Sequence, residues 1–151
     1  MLVHAFNWKK MSVSAVLAFR WDGRRSRLFF RMKPDSYNTE SLIDFLQDFR
    51  RELHGHRCIL VWDGLMAHKS REMKLYLAGQ TEWLTVERLP GYAPDLNPVE
   101  PLWGNIKQWE LANRCAEELS QSCSAVRKGM ARVKRSRNLA FAFLHHAGLF
   151  F

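Results

Sequence analysis

Four of the chain's five prolines, Pro90, Pro94, Pro98 and Pro101, fall within one segment, Leu89–Trp103, which reads LPGYAPDLNPVEPLW. Proline fixes φ and removes a backbone donor, so neither a central strand nor a helix interior runs through this stretch. Any fold of this chain must break here and restart. The restart is legible. Asn97-Pro98-Val99-Glu100 fits a helix beginning, with Asn97 as N-cap, Pro98 at the first helical position and Glu100 at the third, the arrangement of a capping box. Pro101 falls in the first turn, where no intrahelical donor is lost. The helix runs from about Pro98 to Ala112, with Val99, Leu102, Trp103 and Ile106 as its buried stripe. Glu100 and Lys107, seven residues apart, share one flank. They could serve a metal ion and a phosphate, or make a loose surface pair worth little.

Upstream, Lys10–Phe19 and Arg27–Met32 read as a hairpin around the turn signal Asp22-Gly23. A helix capped by Thr39 carries Leu42, Phe45, Leu46, Phe49 and Leu53 at three- and four-residue steps and ends at Gly55. Cys58–Trp62, CILVW, has the pattern of a strand buried on both faces. A helix over MAHKSREMKLYLAG closes at Gly79, and Glu82–Leu89 forms another strand. From Glu117, Leu119, Cys123, Val126, Met130 and Val133 mark a helix whose exposed side carries Arg127, Lys128, Arg132, Lys134, Arg135 and Arg137, with no acid among them. A short helix over Leu139–Ala147 closes the chain. Strands and helices in this order, with a hairpin first, specify an α/β fold.

The 151 residues suit a single core, and 47% hydrophobic content excludes a disordered chain. The formal charge of +8 favours an anionic partner, nucleic acid first. That charge is uneven. Residues 1–57 carry 11 Lys/Arg against 6 Asp/Glu, residues 58–112 carry 5 against 7, and residues 113–151 carry 7 against 2. An acidic middle with basic flanks suits a metal centre held against an anionic ligand. Cys58, Cys115 and Cys123 form no Cys-x-x-Cys pair and read as free thiols. With no signal-peptide core and no apolar run near the ~20 residues of a membrane helix, the expectation is a cytoplasmic protein without membrane contact.

Asp63 closes the CILVW strand. Open α/β sheets gather their sites at the carboxyl ends of strands, although Asp-Gly after a strand is also an ordinary turn. His68, five residues on, either points to the same place or faces solvent at a helix start. His54, His56, His145 and His146 show no metal-ligand spacing, and no Ser/His/Asp set or Gly-rich phosphate loop is present.

Taken together, LVWDGLMAHKS, VERLPGYAPDLNP and VEPLWGNIK resemble the DDE transposases of the mariner superfamily, especially those of prokaryotic insertion sequences. The resemblance covers nearly the whole chain. It implies a ribonuclease-H-like fold, a mixed sheet with flanking helices, over residues 1–113, and a basic helical extension over 114–151. It makes Asp63 and Glu100, 37 positions apart, the second and third catalytic acids and metal ligands. His68, Asn97 and Lys107 become supporting residues, and Lys69, Arg88, Lys107, Arg132, Lys134 and Arg135 become DNA contacts. The cofactor implied is a pair of Mg²⁺ ions, with Mn²⁺ as substitute, and the partners are transposon ends, target DNA and further copies of the chain. The family's first acid lies on a central strand before Phe6-Asn7-Trp8, so the resemblance also implies an N-terminally truncated catalytic domain that is inactive alone. A non-catalytic DNA-binding or regulatory remnant is the alternative.

Overall fold

The computed structural model describes residues 10–64, 66–91, 93–112 and 119–150. Strands β1 (Met11–Phe19) and β2 (Ser26–Pro34) pair antiparallel, from Met11 opposite Pro34 to Phe19 opposite Ser26. Asp22 sets the turn between them. Its carboxylate accepts the Arg24 N–H (3.0 Å) and pairs with Arg20 (3.1 Å), while Gly23 takes φ +67°, which a glycine adopts at little cost.

Helix α1 (Thr39–Glu52) is capped by Asn38, one residue before the expected Thr39. The Asn38 side chain accepts the Ser41 N–H, and the Ser41 hydroxyl oxygen accepts the Asn38 N–H. Thr39 instead donates its hydroxyl to Ser70 (3.0 Å). Ser70 also caps α2 (Arg71–Ala78) by accepting the Met73 N–H. That cap divides the single helix expected over MAHKSREMKLYLAG into a 3₁₀ turn, Met66–Lys69, and α2.

Strands β3 (Cys58–Trp62) and β4 (Leu84–Arg88) flank α2 in the chain and pair parallel, with Trp62 opposite Arg88. Leu60, Trp62 and Leu84 bury one face of the pair against Leu42, Leu46 and Phe49 of α1 and Met73 of α2. The other face is open, with Ile59 70% and Val61 53% exposed. This corrects the expectation of a strand buried on both faces. Leu60 and Trp62 point to the side where α1 and α2 pack, and strand alternation turns Ile59 and Val61 away. Both kinds of pairing expected of a mixed sheet are present. They lie in two ribbons that are not joined to each other among the described residues.

A second core sits on the hairpin. Helices α3 (Val99–Ile106), α4 (Leu119–Arg135) and α5 (Arg137–His146) bring Leu102, Ile106, Met130, Val133 and Phe143 against Leu28 of β2. Helix α3 widens into a π turn at Lys107–Leu111. Cys115 and the expected helix start at Glu117 lie outside the described residues. Ser136 caps α5, which begins two residues before the expected Leu139. No described helix is long and apolar enough to cross a membrane.

Leu102 is fully buried, whereas Trp109 is 70% exposed. Urea unfolding should therefore show Leu102→Ala costing about 2–5 kcal/mol and Trp109→Ala staying within about 0.5 kcal/mol of the parent. Burial also pushes the Cys58 thiol from its usual 9.0 up to about 11. The folded state favours the neutral thiol, so this contribution is complete below pH 9 and is lost as pH rises toward 11. Iodoacetamide labelling of Cys58, mapped by mass spectrometry, should stay slow at pH 9 in the folded chain and become fast on unfolding.

Candidate metal and nucleic-acid site

Asp63 follows β3 in the chain, and Glu100 follows β4 by way of the proline segment. The Trp62 carbonyl accepts the Leu89 N–H (2.9 Å), which carries the ladder one residue past Arg88. Asp63 is the first residue off β3, with 46% of its side chain exposed. His68 Nδ1 lies 3.0 Å from Asp63 Oδ1 and 3.1 Å from the Asp63 backbone oxygen. Both are acceptors, so Nδ1 carries hydrogen and donates. The imidazole lies flat on the Trp62 indole, with centroids 4.0 Å apart and planes 4° apart. His68 is only 7% exposed, which corrects the reading of a solvent-facing histidine. The 3₁₀ turn ended by Ser70 folds it back over the strand end. An ordinary Asp-Gly turn needs no such brace. Lys69 crosses over Gly64, where a Cβ would meet its Nζ at 3.2 Å.

Arg88, opposite Trp62, is exposed at the end of β4, and the proline segment leads from there to α3. Pro94–Leu96 form a 3₁₀ turn whose Pro94 carbonyl accepts the Asn97 N–H (2.9 Å). Helix α3 begins at Val99, and Pro98 supplies no side-chain cap. Asn97 caps from one residue further back. Its Oδ1 accepts the Val99 N–H (3.1 Å) and its carbonyl accepts the Glu100 N–H (3.0 Å). The Asn97 side chain thus bonds Val99 and not Glu100, so neither arm of the expected capping box is made. The second arm would draw the Glu100 carboxylate to the Asn97 N–H, and Pro94 already holds that donor. Glu100 is exposed and outside the ion pairs of the described residues. Lys107 lies two turns on, about 10 Å along the axis, and is likewise exposed and unpaired with Glu100.

Arg132 is placed differently from Lys134 and Arg135. Its Nε donates to Glu110 Oε1 (2.7 Å), and its Nη2 donates to Glu110 Oε2 (3.0 Å) and to Asn105 Oδ1 (2.6 Å). The Glu110 hydrogen bonds hold the guanidinium's pKa above its usual value. Glu110 reaches it from the π turn and packs against Gly129, where a Cβ would lie 2.9 Å from the carboxyl carbon. Lys134 and Arg135 remain exposed at the end of α4. Among the described residues no three His, Cys, Asp or Glu side chains gather into a metal-binding group. Trp62, Asn105 and Glu110 escaped the sequence reading. Trp62 had a signal, since it precedes Asp63 on the strand and alternates inward with Leu60, but Glu110 and Asn105 had none without knowing where α4 packs.

Residues 7–122, more than half of the chain, match the family model described as DDE superfamily endonuclease. The structure is similar to the crystal structure of the catalytic domain of Mos1 mariner transposase, at 14% identity and a TM-score of 0.54, covering 93% of this chain and 83% of that one. It is similar to the same catalytic domain solved with raltegravir and Mn and with raltegravir and Mg, each at 15% identity and a TM-score of 0.53, covering 93% and 84%. No curated protein matches. The fold is the ribonuclease-H-like fold of these structures.

The Gly129 contact is open to a double-mutant cycle. Gly129→Ala should cost at most about 1 kcal/mol, since the helix gain of an alanine offsets part of the shift forced on the Glu110 carboxylate, and Glu110→Ala about 1–2 kcal/mol by removing the partner of Arg132. Because the second change removes the group that the first one crowds, the double variant should fall short of the sum by at least about 0.5 kcal/mol in urea unfolding.

Proposed function

The chain belongs to the DDE superfamily of endonucleases, and on that premise we propose that it is the catalytic part of a mariner-type transposase, cutting and joining DNA strands. One observation carries the reading. Asp63 is braced by a buried histidine just past β3, and Glu100 sits in the first turn of α3 with its carboxylate exposed and released from capping.

The donor set fits Mg²⁺, with Mn²⁺ as substitute, because both candidate ligands are carboxylates, the hard oxygen donors these ions prefer. The fold neighbours solved with Mg and with Mn support the same choice. Asp63 and Glu100 would hold the metal. Two such ions supply activation of a water or 3′-hydroxyl and stabilisation of the leaving oxygen in an in-line phosphoryl transfer. The chain's own part is positioning. His68 fixes the Asp63 side chain, and Asn97 fixes the first turn that carries Glu100. Lys69, Arg88 and Lys107 present cations toward a phosphate, and Lys134 and Arg135 toward the DNA backbone. Arg132 is the member of that basic group we assign to structure, since Glu110 and Asn105 already hold its guanidinium.

Two carboxylates are one short of a DDE triad. Asp22 is tied into the hairpin turn, and Asp35 sits just past β2 at φ 60°. We assign the third acid to polypeptide outside the described residues, on a strand joining the two ribbons, and expect the 151-residue chain to need a second copy or a supplied segment for strand transfer. The alternative, a non-catalytic DNA-binding remnant acting through α4, loses Arg132 as a contact but keeps Lys134 and Arg135.

Mn²⁺ titration followed by electron paramagnetic resonance tests the site. Asp63→Asn and Glu100→Gln should each abolish specific binding, and His68→Ala should weaken it about 10–100-fold. Equal affinity in all four proteins would sink the assignment. Mg²⁺-dependent cleavage of terminal-repeat DNA by the unsupplemented chain, lost in Asp63→Ala, would refute the need for a third acid from elsewhere.

A further inference from the structure

The end of the molecule away from Asp63 carries a second cluster. Tie-points along α1 fix which end this is. Thr39, at its start, bonds Ser70 beside the His68 turn. At its finish, the Glu52 carbonyl accepts from Arg27 at the start of β2 (2.8 Å), and Arg50 donates to Gln80 ahead of β4 (3.4 Å). The β1–β2 turn therefore projects from the opposite end, about 30 Å from the Met11–Pro34 end of the hairpin at about 3.4 Å per residue.

That turn reads Arg20-Trp21-Asp22-Gly23-Arg24-Arg25. Trp21 is 83% exposed, more than any other large apolar side chain described. Arg24 and Arg25 are exposed and outside the ion pairs of the described residues, while the turn's acid, Asp22, is committed to Arg20 and to the Arg24 N–H. The platform beneath is packed. Phe19 meets Phe141 of α5 edge-on at 5.3 Å, and Arg137 stands 5.7 Å over the same ring. A cleft of about 410 Å³ opens beside the indole, lined by Trp21, Asp22, Gly23, Phe141 and His145. After α5 the chain reverses in a Schellman turn. Gly148 takes φ +75° and donates to the His145 carbonyl (2.9 Å), and Leu149 donates to the Leu144 carbonyl (3.2 Å). The reversal lays Phe150, 73% exposed, on the His145 ring at 5.0 Å.

Unpaired guanidiniums beside exposed rings match a nucleic-acid strand, which offers phosphates to the cations and unstacked bases to the rings. An apolar protein partner would bury two uncompensated charges instead, at high cost. We propose that the hairpin turn and α5 form a second nucleic-acid surface, taking backbone phosphates and an unpaired base, at the end of the molecule opposite Asp63. This surface is independent of the catalytic reading.

Fluorescence anisotropy of a labelled 20-nucleotide single strand, with EDTA present, tests it without metal or cleavage. Arg24→Ala/Arg25→Ala should weaken binding and lower the slope of log K against log salt by about 1.4. Trp21→Ala should weaken binding about tenfold and leave the slope unchanged. Arg24→Lys/Arg25→Lys should keep the parental slope, which separates lost charge from a disturbed turn. Arg24→Ala/Arg25→Ala should keep the parent's Mn²⁺ affinity, so the catalytic reading and this one fail separately. Parental affinity and slope in the double alanine variant would overturn the proposal. So would sedimentation data showing that these substitutions abolish a dimer while DNA binding persists.

Discussion

The Ser70 hydroxyl oxygen accepts two hydrogen bonds, and much of the molecule is arranged around it. By accepting from the Met73 N–H it starts α2 and stops the 3₁₀ turn before it. By accepting from Thr39 it pins the start of α1 to the same point. A continuous helix from Met66 to Ala78 would carry His68 around with it. Stopped at Ser70, the short turn leaves the imidazole over Trp62, where its Nδ1–H reaches Asp63. A helix cap worth about 1 kcal/mol thus decides where the histidine lies.

The same economy governs Glu100. The Pro94 carbonyl takes the Asn97 N–H, and that one hydrogen bond separates a capping glutamate from an available one. The rigidity of the proline segment is what brings Pro94 and Asn97 within reach of each other. The break that the prolines impose on Leu89–Trp103 ends in the first turn of α3, where Asn97 bonds Val99 and Glu100 and the Glu100 carboxylate is exposed.

Much of this was legible from residue types. Asp-Gly marked the hairpin, and the three- and four-residue steps marked α1 and α4, while Asp63 and Glu100 rest on motif and on the proposal built from it. The misses share one cause, which is that a pattern describes a segment and not its neighbour. CILVW is apolar throughout, yet α1 and α2 cover only the Leu60 and Trp62 side. Asn38 and Thr39 are both good caps, and Thr39 is drawn off by Ser70, which is remote in sequence. Arg132 lies on the basic side of α4 like Lys134, and only the packing of the π turn beside it supplies Glu110. His68 was polar at a helix start, and its burial depends on the indole beneath it.

The two ribbons carry a cost that concerns the chain's life in a cell. Among the described residues the ribbons are not joined, so each keeps a strand edge without a ladder partner there, and on β3 Ile59 and Val61 form an apolar strip. Such edges recruit other strands without discrimination. Another strand docking there would extend a ribbon, whereas a second copy of the chain pairing there would begin an aggregate. Solubility of the chain therefore turns on how those edges are covered.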